Sequence, residues 1–256
     1  MLIAQGYFQD KEDAVRWILA GKVIVDGQMP ANSGIKVGLN ADIMVKDIDR
    51  RYVGRGGDKL EGALKGFSCD LNGVVALDAG ASRGGFTDCL LKHGAAKVYS
   101  VDVGYGQLAG ALRVDSRVVN MEKTNISQVR RDRLDPIPSV ATIDLSYLSL
   151  RQAMPIVSSI VCDDGSMICL VKPLFEIDDA RSRRSGIIVS KQAYVDILES
   201  LVDFTPTVGL FPVDIIASPI TGNKGTREFF FYVGKSRHQN ENPNIEERIL
   251  QAVNAL

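Results

Sequence analysis

An apolar run that ends in an acidic residue, followed by a glycine-rich turn, constrains the fold of this chain more than any other segment. It occupies residues 74–86, VVALDAGASRGGF, and a helical pattern continues beyond it. Glycines lack the Cβ atoms that would keep a ligand away from main-chain N–H groups at the start of a helix. The segment therefore predicts a strand, a ligand-binding turn and a helix within an α/β fold.

The residues around this turn distinguish two nucleoside cofactors. A second apolar strand ends at Asp102, about 20 residues farther on, where an acidic residue typically binds ribose hydroxyls. A dinucleotide-binding turn needs a glycine where this chain has Ser82. The carboxylate of Asp78, beside the turn, would repel a phosphate and attract a sulfonium or ammonium group. These features favour S-adenosylmethionine over NAD, although a turn built only for packing needs the same glycines.

Composition limits the classes of protein to consider. The 256 residues are enough for one large domain and a small one, and the net charge of −1 restricts any nucleic-acid binding to local patches. The four cysteines form no Cys-x-x-Cys pair and the two histidines stand apart, so we expect free thiols and no metal. No apolar run reaches membrane-spanning length and no signal-peptide pattern is present. We therefore expect a cytoplasmic protein without stable membrane association.

Residues 1–47 are predicted to form a small α+β unit. A helix over 11–20 precedes a hairpin pattern at 23–27 and a short strand at 43–45. This order resembles the S-four RNA-binding domain of ribosomal proteins and pseudouridine synthases. A generic αβ appendage is the alternative.

After a polar linker at 48–57, strand and helix patterns alternate through a predicted domain at 58–235. The expected strands are 74–79, 98–103, 117–121, 140–145, 167–172, 212–218 and 228–233, and the expected helices lie near 86–94, 107–112, 150–161 and 191–202. Such alternation predicts a seven-stranded, mostly parallel sheet. The last two strands are too close in sequence for a crossover helix, so they should pair antiparallel. This is the layout of class I, Rossmann-like methyltransferases, and a tail with a short helix (236–256) follows it.

Charged residues stand at or near the ends of several predicted strands. Asp144 and Lys172 close two of them, and Glu228 opens the last one. Ligands of open α/β sheets bind outside the carboxyl ends of the strands. A carboxylate that leads into a buried strand also needs a partner, such as a lysine. Each residue alone is more simply a surface lysine or a capping carboxylate, but together they favour a charged site.

Six motifs resemble the TlyA family, which joins an S-four domain to an FtsJ-like ribose methyltransferase domain and is often labelled hemolysin. They are RGGDKLE (55–61), DAGASRGGFTD (78–88), VDVGYGQL (101–108), EKTN (122–125), DLSYLSL (144–150) and VKPLFE (171–176). The resemblance implies a Lys-Asp-Lys-Glu tetrad, carried by Lys59, Asp144, Lys172 and Glu228. The predicted contacts of S-adenosylmethionine are Asp78, Gly80, Ala81, Ser82, Gly84, Gly85, Phe86, Asp102, Glu122 and Asp144.

Such a tetrad suits methyl transfer to a ribose 2′-hydroxyl, which must lose its proton as it attacks the methyl group. We expect Lys172 to be the base. Desolvation and a second lysine nearby, Lys59, would favour its neutral form. Asp144 and Glu228 would orient the two lysines. No metal is expected, because a sulfonium already supplies the leaving group.

Basic residues outside the tetrad are expected to contact the phosphates of structured ribosomal RNA or of ribosomal subunits. They are Arg16, Lys22, Arg50, Arg51, Arg55, Arg181, Arg183, Arg184 and Lys191. For residues 181–184, a solvated loop is an equal alternative. Oligomeric state cannot be read from the sequence.

The chain departs from the TlyA pattern in two places. It begins a few residues later, which leaves open a weaker RNA grip or a truncated start. Arg83 replaces a small polar residue in the cofactor turn, and points into solvent or alters cofactor affinity. The resemblance favours an S-adenosylmethionine-dependent rRNA (cytidine-2′-O)-methyltransferase. The alternatives are a catalytically silent RNA-binding protein, against which the complete tetrad argues, and a hemolysin-like membrane-active protein, against which the absence of spanning segments argues.

Overall fold

Two sheets organise the chain in the computed structural model. The residues it describes are 1–3, 7–8, 10–38, 41, 43–46, 51–146, 148–188, 190–222, 225–236 and 242–255. The smaller sheet pairs β1 (Val23–Val25) antiparallel with β2 (Ile43–Val45), beside α1 (Lys11–Leu19). Asp10 caps α1 by accepting a hydrogen bond from the Asp13 amide at 2.8 Å. This unit has a core of its own, formed by Leu2, Phe8, Ala14, Val23, Ile43 and Val45.

The larger sheet has seven strands in the order β5-β4-β3-β6-β7-β9-β8. They are β3 (Val75–Ala79), β4 (Lys97–Val101), β5 (Val118–Met121), β6 (Val140–Ile143), β7 (Ser166–Val171), β8 (Phe211–Ala217) and β9 (Phe229–Gly234). Strand β9 pairs antiparallel with both β7 and β8, whereas the other pairs are parallel. The predicted seven-stranded, mostly parallel sheet with an antiparallel final pair is confirmed.

Helices cover both faces of this sheet. They are α2 (Arg55–Phe67), α3 (Gly85–Lys92), α4 (Gly110–Arg113), α5 (Leu150–Ile160), α6 (Pro173–Glu176), α7 (Ala180–Ser185), α8 (Lys191–Phe204) and α9 (Ile245–Asn254). Helix α2 begins at Arg55, so the end of the predicted linker (48–57) is helical. Helices α6 and α7 are absent from the sequence prediction, because a helix of one or two turns has too few residues to show a periodic pattern.

Strand β9 shows how the two cores meet at the sheet. Phe229 and Phe231 belong to the core on one face, and Phe230 belongs to the core on the other. All three side chains are fully buried. Alternate residues of a strand point to opposite faces, so a strand covered on both sides is apolar throughout. The sheet is therefore a rigid support for the residues that follow the ends of its strands.

The end of the chain packs against this sheet. In α9, Ile249 and Val253 are buried, and Arg248 donates hydrogen bonds of 2.6 and 2.8 Å to the carboxylate of Asp214 on β8. Strand β8 is the last in the sheet order. The predicted tail (236–256) thus contributes a helix that covers part of an edge strand, which limits pairing with other chains.

Candidate active site

A cleft lies outside the carboxyl ends of β3, β4, β6 and β7. It consists of two adjoining cavities of about 330 and 450 Å³, which share Gly80, Ser82, Asp144 and Ser146. Cavities of this size are typical of small-molecule sites. We call the first the charged half, because it contains the predicted tetrad. We call the second the apolar half, after the Val, Ile and Leu side chains in its wall.

The glycine-rich turn separates the two halves. Gly80 has a φ of +94°, and a Cβ atom there would lie 2.4 Å from the carbonyl oxygen of Asp144. The amides of Gly80 and Ala81 both donate to the carbonyl oxygen of Val101, at 2.9 and 3.1 Å. The turn is thus clamped between β4 and β6. Glycine is required at position 80 by the neighbouring main chain, as well as by its left-handed conformation.

Asp102 lines the apolar half at the end of β4. One oxygen of its carboxylate accepts a hydrogen bond from the Ser82 amide at 2.8 Å, and the other accepts from the Gly104 amide at 2.7 Å. Each carboxylate oxygen has a second lone pair. The residue is therefore fixed by main-chain donors while it keeps acceptor capacity for a diol.

Asp78 lies behind the wall of the cleft and lines neither half. It is fully buried and accepts hydrogen bonds from the hydroxyls of Thr87 at 2.6 Å and Thr142 at 3.0 Å. Burial raises the pKa of Asp78 to about 6, although these hydrogen bonds lower it. The structure thus corrects the sequence argument that placed its charge beside a ligand, because the side chain points towards α3 instead.

Two further predicted cofactor contacts, Gly84 and Glu122, also lie away from the cleft lining. Gly84 faces the side chains of Leu108 and Leu112. Glu122 accepts a hydrogen bond from the Gln107 amide at 2.9 Å. These two residues shape the loops around the cleft, because their contacts are with the segment that leads into α4.

The other predicted cofactor residues do reach the cleft. Those in the charged half are Gly80, Ala81, Ser82, Gly85, Phe86 and Asp144. The apolar half has further lining residues that sequence reasoning missed: Val101, Val103, Gln107, Thr124, Asn125, Ile126, Leu145 and Leu148. All of these except Ile126 had a signal, since they belong to the VDVGYGQL (101–108), EKTN (122–125) and DLSYLSL (144–150) motifs.

The four residues of the predicted tetrad form two ion pairs in the charged half. The Nζ atom of Lys172 lies 2.6 Å from Oδ1 of Asp144 and donates to the carbonyl oxygen of Leu145 at 3.1 Å. Lys59, from α2, pairs with Glu228 just before β9. The Lys59–Glu228 pair is the deeper one, with side chains 12% and 7% exposed, against 19% and 27% for Lys172 and Asp144.

The charges of the two pairs influence each other. Burial raises the pKa of Glu228 above its usual range, while the nearby ammonium group of Lys59 opposes the rise. Weaker effects on the same carboxyl come from Asp144, which raises its pKa, and from Lys172, which lowers it. The four side chains therefore form one electrostatic unit.

The predicted RNA-binding residues are spread over the molecule. Arg55 lines the charged half and donates to the carbonyl oxygen of Thr221 at 3.0 Å. The other described residues of this group line neither half of the cleft. Three of them form ion pairs, Arg16 with Asp13, Arg51 with Glu61 and Arg183 with Asp178, and Lys22 lies over the Trp17 ring. Arg181 and Arg184 lie on α7, and Lys191 begins α8. Arg50 lies outside the described residues. The cluster at 181–184 is helical instead of the loop considered above.

Arg83 lines the charged half, and its Nε atom donates to the carbonyl oxygen of Val53 at 3.1 Å. One of the two expectations was that this side chain extends into solvent, and the structure does not show that. It connects the cofactor turn to the segment that precedes α2. The cation becomes part of the wall of the cleft.

The sequence profile of the FtsJ-like methyltransferases matches residues 52–235. The chain belongs to the FtsJ-like methyltransferase family. It is 37% identical over 257 residues to the Bacillus subtilis protein named "Putative rRNA methyltransferase YqxC", covering 99% of this chain and 91% of that protein. It is 35% identical over 233 residues to the "16S/23S rRNA (cytidine-2'-O)-methyltransferase TlyA" of Mycobacterium tuberculosis, covering 91% and 87%. The resemblance to the TlyA family is confirmed.

A solved structure is similar over nearly the whole length. The protein named "Putative hemolysin" from Streptococcus thermophilus aligns with a TM-score of 0.81 at 35% identity, covering 98% of this chain and 93% of that one. In this FtsJ-like methyltransferase, none of the helices that the structure describes is long and apolar enough to cross a membrane. Within the same residues, no cluster of His, Cys, Asp and Glu side chains is arranged to hold a metal ion.

The methyl donor of this FtsJ-like methyltransferase is S-adenosylmethionine, and the cleft fits that molecule. The apolar half offers a fixed carboxylate at Asp102 for a ribose and apolar walls at Val103 and Ile126 for a base. The adjoining charged half begins at Asp144, whose carboxylate suits a cationic group. S-adenosylmethionine is a nucleoside joined to a sulfonium and an amino acid, which matches the order of these surfaces along the cleft.

Proposed function

We propose that this FtsJ-like methyltransferase methylates a ribose 2′-hydroxyl of ribosomal RNA, at a cytidine, in the cytoplasm. The observation that carries the proposal is the convergence of Lys59, Asp144, Lys172 and Glu228 in a cavity that adjoins a nucleoside-sized one. The name of the Mycobacterium tuberculosis relative, which specifies 16S/23S rRNA and cytidine-2′-O methylation, supports the choice of substrate.

In this proposal, Lys172 is the general base. Its Nζ atom has acceptors at Asp144 and at the carbonyl oxygen of Leu145. A neutral amine has two protons and one lone pair, so both protons can stay hydrogen-bonded while the lone pair takes the proton of the ribose hydroxyl. S-adenosylmethionine supplies a methyl group on a positively charged sulfur. The ribose oxygen forms its bond to that methyl carbon as the carbon–sulfur bond breaks.

Lys59 and Glu228 have a supporting role in the same proposal. The buried carboxylate of Glu228 holds the ammonium group of Lys59 at the bottom of the charged half. Lys59 thereby contributes a held positive charge to the same cavity that Lys172 lines. The Lys59 ammonium group is also a donor that can hold a ribose oxygen, which adds the positioning on which such a reaction depends.

The proposed RNA contacts start at the mouth of the charged half. Arg55 lies one helical turn before Lys59 on α2 and lines the same cavity. A phosphate beside the target ribose would meet this guanidinium first. The remaining basic residues would add salt-dependent affinity from the surface.

The test incubates the protein with isotope-labelled S-adenosylmethionine and unmodified 30S or 50S ribosomal subunits, and then maps the methylated nucleotide. We expect label on a cytidine ribose. The Lys172→Ala variant should lose about 1,000-fold in kcat because the base is absent, while its Kd for S-adenosylmethionine stays within about threefold. Lys97→Ala is the matched control, because Lys97 begins β4 and so lies at the amino end of that strand, away from the carboxyl ends where the cleft lies.

Three results would contradict the proposal. Methyl groups on a base, rather than on a ribose, would exclude ribose chemistry. Wild-type turnover in Lys172→Ala would remove Lys172 as the base. RNA binding without any methyl incorporation by the wild-type protein would favour the catalytically silent alternative.

A further inference from the structure

Helix α6 connects Lys172 to a buried acid in a single turn. Lys172 is its N-cap residue, and Glu176 is its last residue. The carbonyl oxygen of Lys172 accepts a hydrogen bond from the Phe175 amide at 2.8 Å, and that of Pro173 accepts from Ile177 at 2.9 Å. Pro173 also has a restricted φ angle. The main chain at Lys172 and the carboxylate of Glu176 therefore belong to one stiff element.

The carboxylate of Glu176 holds the start of α5. Its Oε1 atom accepts from the Leu150 amide at 2.7 Å, and its Oε2 atom accepts from the Ser149 hydroxyl at 2.7 Å and from Arg151 at 3.0 Å. The side chain is 1% exposed. Charged hydrogen bonds at the N-terminus of a helix are strong, and a buried one has no competing water. Glu176 thus fixes α6 against α5.

The same two segments meet again at the cleft. Asp144 and Leu145, which follow β6, hold the Nζ atom of Lys172. Ser149 and Leu150, a few residues later, are held by Glu176. Residues 144–151 and 172–176 are therefore joined at both ends. A loss of either connection leaves the position of the lysine dependent on the other alone.

We propose that Glu176 is a positioning residue, which keeps the amine of Lys172 at Asp144 and at the carbonyl oxygen of Leu145. This inference rests on the proposed function of Lys172 and assigns the acid of the VKPLFE motif (171–176) a role in it. Glu176 acts through α6 and touches neither half of the cleft lining. Its effect should therefore fall on the chemical step more than on cofactor binding.

The test compares Glu176→Gln with the wild-type protein. The amide keeps an acceptor for Leu150 but removes the charge that binds Arg151. We expect kcat to fall about tenfold, while KM for S-adenosylmethionine changes less than about threefold, because Gly80 and Asp102 follow β3 and β4, outside the two segments that Glu176 joins. The rate at which an amine-reactive reagent labels Lys172, measured by peptide mass spectrometry, should rise severalfold.

Asp214→Asn is the matched control. It removes an equivalent carboxylate from a largely buried pair with Arg248, at the far edge of the sheet. We expect a similar fall in thermal stability, with unchanged kcat and unchanged labelling of Lys172. Ser149→Ala removes one of the three donors to Glu176, together with the hydroxyl that accepts from the Arg151 amide at the start of α5. It keeps the Glu176 carboxylate and its pair with Arg151, so it provides a milder variant if Glu176→Gln folds poorly. Its effects on kcat and labelling should have the same direction and be about twofold.

The two readouts separate this inference from the proposed function. Unchanged kcat and unchanged Lys172 labelling in both Glu176→Gln and Ser149→Ala would overturn the positioning role, even if the wild-type protein methylates ribosomal RNA. Equal losses of kcat in Glu176→Gln and Asp214→Asn would mean that Glu176 only stabilises the fold. If the wild-type protein methylated no RNA, the proposed function would fail, while the labelling rates would still decide whether Glu176 positions Lys172.

Discussion

In the apolar half of the cleft, the carboxylate of Asp102 is fixed by main-chain amides, whereas in the charged half the four side chains of the tetrad are held chiefly by one another. Asp102 is held by two amides, and the turn at Gly80 is held by a carbonyl oxygen of β4. In the charged half, each lysine is paired with an acid from another element. The two halves therefore depend on different kinds of contact.

This difference separates binding from chemistry. Main-chain contacts between strand ends give a surface that is formed before any ligand arrives, which favours affinity. Paired side chains can exchange protons and change partners, which a reaction step requires. Substitutions in the apolar half should therefore raise the Kd for S-adenosylmethionine, and substitutions in the charged half should lower kcat.

The largest effect on binding is expected for Gly80→Ala. The new Cβ would lie 2.4 Å from the carbonyl oxygen of Asp144, and the residue would have to keep a φ of +94°. Either the turn or the end of β6 must move, at a cost of several kcal/mol. We expect the Kd for S-adenosylmethionine to rise roughly 300-fold, measured by isothermal titration calorimetry.

Gly73→Ala is the control for Gly80→Ala. Gly73 has a φ of +73°, and a Cβ atom there would meet nothing within 4 Å. This variant should lose about 1 kcal/mol of stability through its backbone conformation alone, with no change in cofactor affinity. Equal affinity losses in both variants would mean that general destabilisation, and not the clash with β6, weakens binding.

A smaller effect on cofactor binding is expected for Asp102→Asn. The amide has one oxygen in place of two, so the Ser82 or the Gly104 amide loses its acceptor and the ribose contact weakens. We expect the Kd for S-adenosylmethionine to rise about 50-fold, which corresponds to a lost charged hydrogen bond. At saturating cofactor, kcat should change less than about threefold.

Asp115→Asn is the control for charge alone, because Asp115 pairs with Arg117 beside β5 and lines neither half. Its cofactor affinity should match that of the wild-type protein. A fall in kcat for Asp102→Asn as large as its loss of affinity would contradict the division of the cleft into a binding half and a reacting half.

The two halves also differ in how well the sequence predicts them. The turn (74–86) and Asp102 are recognisable from short-range patterns, because one strand, its turn and the next strand bring them together. Lys59 and Glu228 are 169 residues apart, and no local pattern connects them. That they belong to one site was implied in advance only by the family resemblance, through its tetrad.

Side-chain direction limited the prediction within the apolar half. Asp78 and Glu122 stand at the expected places in the chain, but neither lines the cleft. For Asp78 the reason is the register of β3, which places it opposite Ser100 on β4 and Thr142 on β6. Sequence spacing gives the position of a strand residue, whereas the pairing of neighbouring strands decides which face it occupies.

The smallest expected effect is a change of stability with pH, which tests whether the buried carboxyl of Asp78 supports the turn. The pKa of Asp78 is raised from 3.8 to about 6, so the folded protein binds a proton there more tightly than the unfolded chain does. Its contribution to stability is therefore complete below about pH 4 and is lost as the pH rises towards 6.

Asp78→Asn removes this titration while it keeps a group that can bond Thr87 and Thr142. The free energy of unfolding of the wild-type protein, relative to that of Asp78→Asn, should fall by on the order of 2 kcal/mol between pH 4 and 6.5. Urea unfolding at several pH values measures this difference, because the other titrating groups contribute equally to both proteins. A difference that rises with pH would mean that the fold stabilises the charged form of Asp78, so that a buried charge supports the apolar half as well. A constant difference would mean that the fold does not shift the pKa of Asp78.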